Sequence, residues 1–177
     1  MNTAYFQQTT RQIQVFLTEG DFAQAHHHAL NLRLELSSEP MIDKAQLAGC
    51  IAFELEALYA LEEWDGFVEC IDEFRAEIDS LPAETQRQIA RQMMNSLAHI
   101  GRGTEIPEWS LMLCRQLISM NDIDAVIEVR QMTRRLLDDC HHSSLMDGFH
   151  QQLVRQVNAM DNEKGASQWL QKILKSI

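Results

Sequence analysis

Residues 47–79 read LAGCIAFELEALYALEEWDGFVECIDEFRAEID, and their spacing decides the fold. Leu47, Ala48, Ile51, Ala52, Leu55, Leu58 and Tyr59 recur at three- and four-residue steps, which places them along one side of a helix. Glu62-Glu63 interrupts this stripe, and a second one opens at Trp64 and continues through Phe67, Val68, Ile71, Phe74 and Ile78. Two stripes around a polar break predict a helical hairpin. One hairpin cannot cover its own apolar faces, so a chain that repeats the unit is expected to stack its hairpins, an arrangement whose usual work is holding other proteins.

Similar stripes run along the rest of the chain. They predict nine helices near 2–18, 21–37, 41–61, 63–79, 83–100, 106–119, 122–140, 144–160 and 163–176. Gly20-Asp21 supplies a stop for one helix and an N-cap for the next, and Asn121-Asp122 does the same later. Pro82 and Pro107 suit first helical turns. In the second helix Ala25 and Ala29 lie on the apolar side, where short side chains let a neighbour approach closely. No segment alternates at period two, so no strand is predicted.

Gly20-Asp21-Phe22-x-x-Ala25-x-x-x-Ala29 and Leu58-Tyr59-Ala60-Leu61-Glu62-Glu63-Trp64-Asp65-Gly66-Phe67 resemble the junction between the two helices of a tetratricopeptide-type repeat. There a small or acidic turn is followed by an aromatic that opens the second helix. Asn121-Asp122-Ile123-Asp124-Ala125-Val126 is a weaker instance. The resemblance implies an all-α fold of antiparallel hairpins in a short right-handed superhelix, with peptide segments gripped by first helices on the concave side. Phe22 and Trp64 stand 42 residues apart and Ile123 follows 59 later, against about 34 in a regular array. An irregular helical bundle therefore stands as the alternative architecture.

The chain has 177 residues, enough for a single helical domain over 1–177 that buries about two thirds of its unfolded surface. Its apolar runs fall far short of the ~20 residues a spanning helix needs, and Met1 to Arg11 has no basic start or apolar centre. These features predict a cytoplasmic protein without a membrane segment. Cys50, Cys70, Cys114 and Cys140 form no close pair and are expected to be free and mostly buried.

Net charge is −11 and is concentrated locally: residues 54–84 hold eleven acids against one base, Arg75. If Trp64, Phe67, Ile71 and Phe74 are buried, then Asp65, Glu69, Asp72, Glu73 and Glu77 face outward. Such a face keeps a domain soluble, or steers a basic partner at low salt. From 85 to 104 the sign reverses, with Arg87, Arg91 and Arg102 and no acid. With Ile89, Met93, Leu97 and Ile100 toward the core, Arg87, Arg91, Asn95 and Arg102 fall on or near the opposite side, and His99 lies on the same helix. Arginine and asparagine there suit carboxylates or peptide backbone; the plainer role is an internal salt bridge to the preceding acidic helix.

Other clusters are weaker. His26-His27-His28 point about 100° apart on a helix, so they cannot all serve one ion. Asp138, His142, Asp147 and His150 sit near a turn at spacings that set carboxylate beside imidazole. A helix-turn-helix reading of 85–92 fails because the helical pattern continues to Ile100, and the overall charge repels phosphate. No catalytic residue, resident metal or cofactor is assigned. The function expected is non-enzymatic: an adaptor, co-chaperone or secretion-type chaperone that holds a protein segment in a polar groove through Arg87, Arg91, Asn95 and His99, with Asp65, Glu69 and Asp72 steering. Nucleic acid and membrane are not expected as partners, and a homo-dimer is left open. The alternatives are a helical metal-binding protein or metalloenzyme using the 138–150 segment, and an acidic regulatory protein that binds a basic partner.

Overall fold

The computed structural model describes residues 3–41, 43–159 and 163–175. Positions 2, 42, 160 and 176, which the periodicity assigns to helices, lie outside the described residues. Among those described there is no strand. The helices are α1 Thr3–Glu19, α2 Phe22–Ser37, α3 Lys44–Ala60, α4 Trp64–Glu73, α5 Arg75–Ile78, α6 Ala83–His99, α7 Ile106–Ser119, α8 Ile123–Asp139, α9 Leu145–Asn158 and α10 Glu163–Lys175. A 3-10 turn, Gly103–Glu105, precedes α7. No helix among the described residues is long and apolar enough to cross a membrane.

One backbone device ends five of these helices. At Gly20, Glu62, Gly101, Asn121 and His141 the chain takes a positive φ. The next N–H reaches back to the carbonyl five residues earlier: Asp21 to Phe16 at 2.9 Å, Glu63 to Leu58 at 3.0 Å, Arg102 to Leu97 at 2.9 Å, Asp122 to Leu117 at 3.0 Å and His142 to Leu137 at 2.7 Å. This closure satisfies carbonyls that a helix end leaves orphaned. Asp21 and Asp122 then cap the following helices, accepting from the Gln24 N–H at 3.2 Å and the Ala125 N–H at 3.1 Å. The two junctions with the strongest turn chemistry are thus built as their residues dictate.

The chain packs as two compact units, Met1–Ile89 and Ala90–Ile177, with the boundary inside α6. In the first unit α2 lies on α3, α1 lies on α2, and α4 and α5 lie on α3. Tyr5, early in α1, donates to Glu35, late in α2, at 3.2 Å, so these two helices run antiparallel. Ala25 and Ala29 are completely buried, and so are Ile13, Ile51, Phe67 and Ile71. Each large apolar side chain covered in this way contributes roughly 1.5–3 kcal/mol.

The second unit is organised on α7, which packs against both α8 and α9, while α10 lies on α9. Met93, Met94 and Leu97 of α6, Ile106, Leu113 and Cys114 of α7, Val126 and Val129 of α8, and Phe149 and Leu153 of α9 make its core. Trp169 and Ile173 of α10 are also buried.

The periodicity joins 63–79 into one helix, and the structure breaks it at Phe74 (φ −113°, ψ 32°) into α4 and α5. The break coincides with a long-range contact: the Arg33 guanidinium sits 4.5 Å from the centre of the Phe74 ring. A stripe of apolar spacings carries no trace of such a contact, because Phe74 keeps its place on the apolar side.

Candidate functional site

The acidic stripe of α4 follows from which side of the helix is covered. Phe67, Val68, Cys70 and Ile71 are buried, and Asp65, Glu69, Asp72 and Glu73 are exposed. The four acids fall at i, i+4, i+7 and i+8, which aligns them along one side. Glu62 and Glu63 extend the acidic surface at the turn before Trp64. Glu77, expected outward, is half-buried. Arg75, the lone base of this stretch, lies 3.8 Å from Asp79, an exposed pair of small energetic weight.

Arg87, Arg91, Asn95 and His99 share α6 at four-residue steps, but they are not equally available. The Arg87 side chain is only 13% exposed and pairs with Glu84 of its own helix. Arg91 and Asn95 are half-buried and His99 is exposed. Arg102 grips Glu105 with two hydrogen bonds, 2.6 Å from Nε and 2.7 Å from a terminal nitrogen. That grip holds the Glu105 carboxyl below its ordinary value, the hydrogen bond being the largest cause. Two of the three arginines of this stretch thus hold neighbouring glutamates.

The segment 138–150 serves separate local purposes. Asp138 accepts from the Ser143 hydroxyl at 2.7 Å, and His141 takes the positive-φ turn position. The His142 ring lies against Gly103, where a Cβ would come within 2.6 Å of it and within 2.8 Å of the Cys140 Cβ. The His150 Nδ1 is shut off from water without a hydrogen-bond partner. Burial first, and the positive Arg130 next, lower its pKa, while Asp147 opposes them. Among the described residues no three His, Cys, Asp or Glu side chains are grouped to hold a metal ion. Asp138, His142, Asp147 and His150 are therefore not brought together as a site. The histidines of the triplet take different partners: His26 lies 4.0 Å from Glu54, His27 is 3.0 Å from Asn31, and His28 stacks on Phe16 at 5.3 Å, while the His27 and His28 rings meet edge to face at 5.7 Å.

Another polar centre, in the first unit, is not visible in the distribution of charge along the sequence. Glu54, 4% exposed in α3, receives two hydrogen bonds from Arg33 of α2, at 2.6 and 3.2 Å. Burial lowers the Arg33 pKa, but the Glu54 hydrogen bonds and charge outweigh it and leave the guanidinium more firmly protonated than usual. The nearby thiols of Cys50 and Cys70 are pushed up to about 12, mainly by burial and further by the Glu54 charge. Cys114 is also pushed up to about 12 by burial. Thiols so strongly protonated are poor nucleophiles. The signal for this centre is its register, because Glu54 falls in step with Ile51, Leu55 and Leu58 on the covered side of α3.

In the second unit Thr133 Oγ1 lies 2.8 Å from Ser110 Oγ and 2.7 Å from the Val129 carbonyl. Ser110 Oγ lies 2.8 Å from the Ile106 carbonyl. This buried hydroxyl pair links α7 to α8 with its polar atoms engaged. Compared with known protein families, with curated proteins and with solved structures, the chain matches none.

Proposed function

We propose that this chain is a non-enzymatic protein–protein interaction module that holds a segment of a partner polypeptide, as an adaptor, co-chaperone or secretion-type chaperone does. The observation that carries this reading is the partition of charge. Met1–Ile89 holds sixteen acids and five bases, whereas Ala90–Ile177 holds ten of each. The whole net charge of −11 thus belongs to the first unit. A stripe of four exposed carboxylates on one side of α4 is suited to steer a basic partner, and such steering speeds encounter more than it deepens affinity. On α6, Arg87, Arg91, Asn95 and His99 carry groups that suit hydrogen bonds to a partner's backbone and carboxylates, and the Arg87 side chain is only 13% exposed. Tetratricopeptide-like stacking of the hairpins and a cytoplasmic setting belong to this reading. Cross-linking of the native chain in extracts of its source cell tests it. Partner peptides should be joined at the exposed acids of α4 and at α6, and cross-links found equally on the helices away from these two would count against it.

A second reading, an acidic regulatory protein that captures a basic partner by charge alone, draws on the same partition. It differs in one outcome. Arg91→Glu would leave capture intact under that reading, and it weakens capture about tenfold if α6 also grips the partner, a loss equivalent to ~1.4 kcal/mol.

A further inference from the structure

We draw no further inference here: the strongest candidate, the open small-residue face of α3 at Ala45, Gly49 and Ala52 in the first unit, carries nothing because the structure does not show what covers it.

Discussion

Glu62 and His141 stand at φ 60°, a conformation that costs an L-residue with a Cβ about 1 kcal/mol and glycine almost nothing. Gly20 and Gly101 fill the equivalent positions elsewhere in the chain. Glu62→Gly should therefore raise stability by about 1 kcal/mol in urea unfolding, and an unchanged or lower midpoint would show that the Glu62 side chain compensates. Gly103 sets the opposite case. A methyl group there meets both the His142 ring and the Cys140 Cβ, so Gly103→Ala should cost about 1–3 kcal/mol. His150 gives a pH dependence whose sign follows from its lowered pKa. The unfolded chain takes up the proton near the ordinary value of 6.5 and the folded chain only below that. Across this window the unfolded state binds more protons, so stability falls as pH drops from neutrality through it. The urea midpoint of the native chain should fall over that range, and His150→Gln should reduce the slope.

At the scale of elements, the Arg33–Glu54 pair ties α2 to α3 and stands beside the α4–α5 break. Removing one partner strands a charge in a covered position, and breaking such a pair costs about 3–5 kcal/mol. Glu54→Ala and Arg33→Met should each approach that figure, whereas the double change to Arg33→Met and Glu54→Leu should be far less costly than the sum. Additive losses in the four-member cycle would mean that the two side chains act independently. The helices themselves are legible in the sequence, because covered positions must recur at three- and four-residue steps. Asp21 and Asp122 announce their own caps. The Phe74 break and the Arg33–Glu54 bond are hidden for one reason: each depends on residues 21 to 41 positions apart that only tertiary packing brings together. The candidate site is legible in part. Asp65, Glu69 and Asp72 are exposed as the covered side of α4 requires. The diversion of Arg87 to Glu84 is a choice of rotamer and partner that helical spacing permits without dictating.

Across the whole molecule, charge separates from the apolar pattern. Both units build cores from helical stripes, yet the net charge is confined to one of them. Solubility would be served as well by an even distribution. Concentrating acids on the exposed side of α4 instead creates a local potential, whose reach is about 8 Å at physiological ionic strength. The most direct measurement is capture of partners from the source cell by the untagged native chain and by the triple variant Asp65→Lys, Glu69→Lys and Asp72→Lys, with helical content checked by circular dichroism. Partners should be captured more slowly and in smaller amount by a variant that keeps its native helicity, whereas a full set of partners captured at the native rate by the folded variant would overturn the proposed role of α4.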